Sequence, residues 1–250
     1  MLSIQRRIIG SLMYLANGTR PDIAYAVNYL ARNQTNPTED DVNDVKRILR
    51  YLRGTSNWGI KFSSNPEVLD VLTDASFRDC ENSAFTAGYV IRLFGDVIAW
   101  KSRKINYASL STCEAEYLAM SDACKELISI DKSIRYVIGR TLFPVTIRCD
   151  NSSSRNCTEM DGSHKLKSFD LSIKEINEEL EEREKTGKRK TMAESHGDYV
   201  KQCVDEGKVK VHWISTNENI ADIMTKPLPK GAHNYLRDKM TNLNTEFIRN

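Results

Sequence analysis

The sequence predicts a mixed α/β fold in which a five-stranded sheet is flanked by helices and preceded by a small helical subdomain. Three observations lead to this prediction. Apolar residues recur at helical spacing over residues 1–55, and from about residue 68 the apolar period changes to two. Two more short apolar runs come later, and such an alternation of strand and helix patterns is typical of a mixed sheet.

Composition places the chain among globular proteins. Of 250 residues, 40% are hydrophobic and 28% are charged, which fits neither a disordered chain nor a membrane protein. The net charge of +2 does not by itself favour a nucleic-acid partner. The six cysteines form no CxxC pair and are typical of reduced intracellular thiols rather than a zinc site. The first thirty residues contain arginines and no signal-peptide core, which predicts an intracellular protein.

The helical subdomain is predicted to contain two short helices and a longer third one. Asn17–Gly18 interrupts the first apolar pattern, and Pro21 opens the next helix. The third helix begins near Asn36–Thr38 and ends at Gly54. One face of this helix carries three basic residues, Lys46, Arg50 and Arg53. This face is either an ordinary solvated surface or a stripe spaced to contact phosphates along one nucleic-acid strand.

Five strands are predicted from alternating patterns and short apolar runs. In chain order they are residues 67–74, 84–94, 97–101, 145–150 and 209–214. Gly95–Asp96 makes a hairpin turn, so the first three strands are antiparallel. Ser111–Glu114 has the pattern of a capping box and starts a helix that ends near Leu127. A final helix begins near Asn219.

A charge-dense segment lies between the last two predicted strands. Twelve of the seventeen residues from Lys174 to Lys190 are charged, with acidic residues first and basic ones after them. This pattern predicts an exposed helix that frays into a basic loop near Gly187. A solvated insertion is favoured over a nucleic-acid-binding arm.

Acidic residues stand at the ends of three predicted strands. Asp74 closes the first strand, Asp150 closes the fourth, and Asp222 follows the fifth in the first turn of the final helix. On a helical projection Glu116 falls inside the apolar arc of its helix, whereas Glu114 points away from it. Each aspartate alone is also explained as a strand end or a helix cap. A glutamate aimed at the core is costly unless it meets a cation or a metal.

Carboxylates that converge on one edge of a sheet repel one another unless a cation neutralises them. Hard divalent ions with oxygen ligands are the natural counter-charge, and Mg²⁺ fits best. Two such ions activate a water molecule and stabilise the leaving oxygen in phosphodiester hydrolysis. The sequence therefore predicts a two-metal centre.

Several stretches of the sequence resemble one family. In the second part of the chain they are Leu72–Ser76, Thr86–Tyr89, Trp100–Ser102, Ser109–Ala119, Cys149–Asn151 and Ala221–Leu228. These stretches look like the ribonuclease H domain of copia-type retrotransposon polyproteins. Ahead of them, Ile9–Leu15, Thr19–Ile23 and Arg47–Thr55 resemble the tail of the same elements' reverse transcriptase.

The resemblance implies a ribonuclease H-like fold and three parts of the chain. A helical reverse-transcriptase tail of thumb or connection type covers residues 1–62, and a ribonuclease H-like domain covers residues 63–235. A charged insertion lies at about residues 171–194, and a C-terminal tail covers residues 236–250. The implied catalytic residues and metal ligands are Asp74, Glu116, Asp150 and Asp222. They would hold two Mg²⁺ ions, with Mn²⁺ as an alternative.

The implied activity is metal-dependent endonucleolytic cleavage of the RNA strand of RNA–DNA hybrids during reverse transcription. Contacts to the backbone and 2′-hydroxyl groups would recognise the duplex with little sequence specificity. The residues assigned to nucleic-acid binding are Lys46, Arg50, Arg53, Lys101 and Asn151. The implied partners are the hybrid and the rest of a Pol polyprotein, with no membrane. The expected location is the cytoplasm, within a virus-like particle, or the nucleus.

Departures from the family pattern keep other interpretations open. The sequence has no Tyr-x-Asp-Asp motif, so we expect no DNA synthesis by this chain. The family's Lys-His-Ile-Asp segment is represented only by His164–Asp170, and the loop Ser215–Glu218 before Asp222 contains no histidine. The main alternative is an inactive or domesticated fragment that binds nucleic acid or protein. A nucleotidyl transferase or integrase is a weaker alternative, since its acidic spacing would differ and the reverse-transcriptase-like tail would be unexplained.

Overall fold

A computed structural model describes residues 2–62, 69–76, 84–106, 112–151 and 192–241 of the chain. The predicted charged segment, residues 174–190, lies outside the described residues, as does Ser111, the first residue of the predicted capping box. Among the residues that are described, no helix has both the length and the apolar content that crossing a membrane requires.

The N-terminal part of the chain folds into three α-helices. They are α1 (Leu2–Gly18), α2 (Ala24–Ala31) and α3 (Glu39–Gly54), with a 3-10 turn over Pro21–Ile23 between the first two. A capping box starts α3. The hydroxyl of Thr38 accepts a hydrogen bond from the backbone N–H of Asp41 at 3.2 Å, and the Asp41 carboxylate accepts one from the N–H of Thr38 at 2.8 Å. This reciprocal cap fixes the helix start near the predicted position.

Five strands form one mixed sheet, which confirms the predicted fold class. They are β1 (Leu69–Ser76), β2 (Phe85–Leu93), β3 (Asp96–Ile105), β4 (Val145–Cys149) and β5 (Val209–Trp213). Their order is β3-β2-β1-β4-β5, in which β1, β2 and β3 are antiparallel and β4 and β5 run parallel to β1. The register places Asp74 opposite Gly88 and Gly88 opposite Ser102.

Helix α4 (Thr112–Ile138) is longer than the helix predicted to end near Leu127. Its last part contains no glycine or proline, so nothing in the local sequence interrupts the backbone hydrogen bonds. The helix ends where Gly139 adopts a positive φ of 74° and donates its N–H to the carbonyl of Arg135 at 2.9 Å. A glycine in this conformation is a common helix stop.

The chain after β5 also differs from the prediction of one continuous helix from Asn219. A 3-10 helix over Ile220–Met224 is separated from α6 (Lys230–Thr241), and α5 (Met192–Asp205) precedes β5. Pro227 lies between the 3-10 helix and α6, and a proline lacks the N–H that a continuing helix needs. Helix α6 extends across residue 235, where the sequence-based division ends the ribonuclease H-like domain.

Different helices cover the two faces of the sheet. Val71 belongs to a buried cluster with residues of α4 and α5, and Leu72, the next residue, belongs to a cluster with residues of α1 and α2. The indole Nε1 of Trp100 on β3 donates a hydrogen bond to the carbonyl of Ala16 on α1 at 2.7 Å. The N-terminal helices and the sheet therefore share one hydrophobic core.

A buried ion pair explains the Thr19–Ile23 motif. The guanidinium of Arg20 donates to both carboxylate oxygens of Asp22, at 2.9 and 2.8 Å, and to the carbonyl of Thr55 at 3.0 Å. The hydroxyl of Tyr51 donates to Oδ2 of Asp22 at 2.7 Å. The network ties the 3-10 turn after α1 to the end of α3.

We expect Asp22→Asn to lower the free energy of unfolding by about 3–5 kcal/mol, because it leaves the charge of the buried Arg20 without its counter-ion. Urea denaturation followed by circular dichroism measures this loss. The matched control is Tyr51→Phe, which removes one hydrogen bond to the same carboxylate and is expected to cost about 1 kcal/mol. Equal losses for the two variants would show that the charge of Asp22 does not stabilise the turn.

Candidate metal centre

Two of the predicted carboxylates meet because their strands are parallel neighbours. Asp74 lies near the carboxyl end of β1, and Asp150 directly follows β4. The register pairs Leu72 of β1 with Arg148 of β4, so two residues further along Asp74 and Asp150 stand level with each other. The alternation of side chains along parallel strands then places both carboxylates at the same edge of the sheet.

Asp222 reaches the same edge from the 3-10 helix Ile220–Met224. Asn219, which is fully buried, attaches this helix to β1: its Nδ2 donates to the carbonyl of Thr73 at 2.9 Å, and its Oδ1 accepts from the N–H of Ala221 at 3.2 Å. One carboxylate oxygen each from Asp74, Asp150 and Asp222 lies within 4.8 Å of the other two. Three carboxylates thus form one compact group.

Gly88 makes room for this arrangement. It lies on β2 opposite Asp74, and a Cβ atom built at this position would overlap the Cβ of Met224 and would lie 3.0 Å from Cγ2 of Thr225. The end of the 3-10 helix therefore packs directly on the bare backbone of β2. Any larger residue at Gly88 would lift the segment that carries Asp222.

Glu116 approaches from the first turns of α4. Its side chain is 6% exposed, which agrees with the helical projection. Oε1 accepts a hydrogen bond from the N–H of Ala75 at 3.3 Å, and Oε2 accepts one from the thiol of Cys149 at 3.5 Å. Glu116, Cys149 and Asp150 offer ligand atoms within 4.8 Å of one another. Asp150 therefore belongs to two adjoining groups, one with Asp74 and Asp222 and one with Glu116.

The carboxylates are held in an environment that disfavours their charged forms. Burial raises the pKa of Asp74 above its ordinary value, although Lys226 and Thr225 act in the opposite direction. Burial, together with the charges of Asp74 and Asp150, raises the pKa of Glu116 well above its ordinary value. Two full charges 4–5 Å apart repel by about 3–4 kcal/mol at the effective dielectric constant of protein sites. A cation at this place removes that cost.

Two neighbouring side chains partly compensate the charge. Nζ of Lys226 lies 3.0 Å from Oδ2 of Asp222 and 3.7 Å from Oδ2 of Asp74. The hydroxyl of Thr225 donates a hydrogen bond to the same Oδ2 of Asp74. Oδ1 of Asp222 is buried and accepts no hydrogen bond from the described residues.

The donor set fits a hard divalent cation. Three carboxylates within a few ångströms supply the oxygen ligands that Mg²⁺ and Mn²⁺ prefer. The unused, buried Oδ1 of Asp222 is an acceptor that a metal ligand bond would satisfy. Asp74, Asp150 and Asp222 could hold one ion, and Asp150 with Glu116 could contribute to a second.

The metal-free protein is expected to lose stability as the pH rises from about 4 to about 7. Burial and the charge of Asp74 raise the pKa of Asp222 from 3.8 to about 7 in the folded chain. Between these values the folded state keeps a proton that the unfolded state has lost, so the free energy of unfolding falls as pH increases. Thermal melting in EDTA at about pH 5 and pH 7.5 measures the effect.

Asp222→Asn serves as the comparison, because it removes the titrating group while keeping the shape of the side chain. Its melting temperature should fall less between the two pH values than that of the wild-type protein. The same fall in both proteins would show that Asp222 does not carry this pH dependence.

The predicted nucleic-acid-binding residues are spread over the surface. Lys46, Arg50 and Arg53 are exposed on α3, and the structure describes no contact between them and the carboxylates. Lys101 is exposed on β3. Its neighbour Ser102 is in register with Gly88 and Asp74. Because side chains alternate along a strand, Lys101 points to the opposite face of the sheet from Asp74. Asn151 is half-buried directly after Asp150.

Four residues that shape the site were not among the predicted site residues: Gly88, Asn219, Thr225 and Lys226. Gly88, Thr225 and Lys226 lie in stretches used for the family resemblance, which was the only sequence signal for them. Their roles depend on contacts between segments far apart in the chain, and no local pattern reports such contacts.

No protein family model matches the chain. The Retrovirus-related Pol polyprotein from transposon TNT 1-94 of Nicotiana tabacum is 32% identical over 224 residues, which are 89% of this chain and 15% of the relative. That from transposon RE1 of Arabidopsis thaliana is 31% identical over 238 residues, 94% of this chain and 14% of the relative. The chain thus spans about one seventh of the length of these curated relatives.

Among solved structures, LC11-RNase H1 in complex with an RNA/DNA hybrid is 16% identical, with a TM-score of 0.39, and the match covers 63% of this chain and 93% of that one. The strand order and the sequence relatives carry the assignment. The mixed sheet of order β3-β2-β1-β4-β5, with helices on both faces, has a ribonuclease H-like fold. The chain is a homologue of one segment of the copia-type retrotransposon Pol polyproteins.

Proposed function

We propose that this protein is a metal-dependent endoribonuclease that cleaves the RNA strand of RNA–DNA hybrids. One observation carries the proposal: the carboxylates of Asp74, Asp150 and Asp222 lie within 4.8 Å of one another at the strand ends, with a buried oxygen of Asp222 left unbonded among the described residues. A retrotransposon must remove its RNA after copying it, so this activity suits a homologue of Pol polyproteins.

We assign Asp74, Glu116, Asp150 and Asp222 as the ligands of two Mg²⁺ ions. When bound, the ions supply an activated water nucleophile and stabilise the leaving oxygen of the phosphodiester. The protein holds the ligands in place. Asn219 fixes the 3-10 helix to β1, and the N–H of Ala75 and the thiol of Cys149 orient Glu116.

The substrate is recognised by shape and backbone charge rather than by sequence. We assign the exposed cations Lys46, Arg50, Arg53 and Lys101 to phosphate contacts at a distance from the scissile bond, and Asn151, which directly follows Asp150, to a contact closer to it. In this proposal the partners are the hybrid and, in the element, the rest of a Pol polyprotein within the cell.

The test is cleavage of a labelled RNA–DNA hybrid in Mg²⁺, in Mn²⁺ and in EDTA, with an RNA–RNA duplex as control substrate. We expect cleavage of the hybrid's RNA strand only, dependent on the metal and lost in Asp150→Asn. The matched control is Asp205→Asn, an exposed aspartate at the end of α5, which should cleave like the wild-type protein.

A folded protein that binds the hybrid but cleaves nothing in either metal would contradict the proposal. It would favour the alternative of an inactive or domesticated fragment that acts as a binding module. Cleavage that persists in EDTA would contradict the assignment of the carboxylates as metal ligands.

A further inference from the structure

The ammonium group of Lys226 lies against the carboxylates that would bind a metal cation. It follows the 3-10 helix, four residues after Asp222, and its ammonium group contacts Oδ2 of Asp222 at 3.0 Å and Oδ2 of Asp74 at 3.7 Å. These are two of the three carboxylates whose oxygens form the 4.8 Å group. No other lysine or arginine among the described residues has an ion pair with these carboxylates.

A divalent ion bound by Asp74 and Asp222 would lie within a few ångströms of the ammonium group. Mg²⁺ binds carboxylate oxygens at about 2.0–2.1 Å, so ion and ammonium would share the same two ligands. Like charges at such a distance repel strongly in a partly buried site. The ammonium and the metal therefore exclude each other, and one must leave before the other binds.

The Lys226 side chain is able to leave. About one third of it is exposed, whereas Asp74 and Asp222 are almost fully buried. Its flexible stem can carry the ammonium into solvent without moving the backbone. The carboxylates, by contrast, are held by Thr225 and by the attachment of Asn219 to β1.

We infer that Lys226 is a built-in counter-ion that neutralises the carboxylates in the metal-free protein and is displaced when the metal binds. This inference rests on the proposed metal centre. It assigns two effects to one residue: Lys226 stabilises the folded chain before metal arrives, and it weakens metal binding because it holds a positive charge against two of the carboxylates that would bind the metal.

Isothermal titration calorimetry with Mn²⁺ tests the competition. We expect Lys226→Met to bind Mn²⁺ about ten-fold more tightly than the wild-type protein, because the competing charge is gone. Lys226→Gln, which keeps a polar side chain, should show the same gain. Lys226→Arg keeps the charge and should stay within about three-fold of the wild-type affinity. The matched control is Lys208→Met, which removes an ammonium next to the opposite end of β5 and should leave the affinity unchanged.

Thermal melting tests the second effect. In EDTA, Lys226→Met should melt below the wild-type protein, and saturating Mn²⁺ should bring the two melting temperatures together. If Lys226→Met folds only with Mn²⁺, that result supports the inference. The affinity for Mn²⁺ is then measured on Lys226→Gln instead.

The outcomes separate this inference from the proposed function. Wild-type protein that binds Mn²⁺, with neutral variants that bind it equally or more weakly, would overturn the role of Lys226 and leave the nuclease proposal intact. Wild-type protein that binds no Mn²⁺ would overturn both.

Discussion

Asp74→Asn is expected to reduce cleavage of an RNA–DNA hybrid about a thousand-fold or more. Asp74 belongs to the three-carboxylate group at the strand ends, and an amide in its place supplies one oxygen without charge. In EDTA the variant should melt at the same temperature as the wild-type protein or above it. Burial raises the pKa of Asp74, so ionising it costs free energy that asparagine avoids.

This combination distinguishes a functional residue from a structural one. Lost activity with retained stability is the signature of a site that trades stability for chemistry. Asp205→Asn controls for the loss of one acidic group elsewhere. Cleavage within a few-fold of wild type by Asp74→Asn would exclude Asp74 as a metal ligand.

Gly88→Ala is expected to destabilise the protein and to disable the site together. Its Cβ would overlap Met224 and would crowd Thr225 and the carbonyl of Lys101, at 3.0 and 3.1 Å. The 3-10 helix must then move away from β2 and carry Asp222 with it. We expect a loss of about 1–3 kcal/mol in the free energy of unfolding. Hybrid cleavage and the affinity for Mn²⁺ should each fall at least about ten-fold, since the ligand geometry is lost.

Gly10→Ala is the matched control for this substitution. Gly10 lies within α1 and has open space around the position of a Cβ atom. Alanine there should leave cleavage unchanged and should stabilise the protein by up to about 1 kcal/mol. If Gly88→Ala proves as stable and as active as Gly10→Ala, the close packing of the 3-10 helix on β2 is not required for the site.

Local patterns in the sequence predicted the sheet and part of the site. The period of two in β1 and β2 predicts strands because it is a property of neighbouring residues. Asp74 and Asp150 could be placed at one edge because each closes a strand, and Glu116 because its position on a helix faces the core. Asp222 could be placed at the same edge because it follows the fifth predicted strand, but the sequence predicted one continuous helix there, whereas the structure has a 3-10 helix.

Contacts between distant segments could not be predicted in this way. Asn219 bonds to the carbonyl of Thr73 across 146 residues, and Gly88 matters only because Met224 packs against it. The packing of α1 and α2 on one face of the sheet could not be predicted either, because an apolar helix face does not reveal which surface it covers. The predicted end of α4 near Leu127 was wrong for a different reason. The helix ends only where Gly139 adopts a positive φ.

The hydrogen bond between Trp100 and Ala16 has a consequence for synthesis of the chain. The two residues are 84 positions apart, so at about 5–20 residues per second Ala16 is synthesised roughly 4–17 seconds before Trp100 on its partner strand. During this interval the apolar side of α1 has no sheet to cover. Asn219 and Asp222 are made later still, so the group of three carboxylates forms only after β5 has been synthesised.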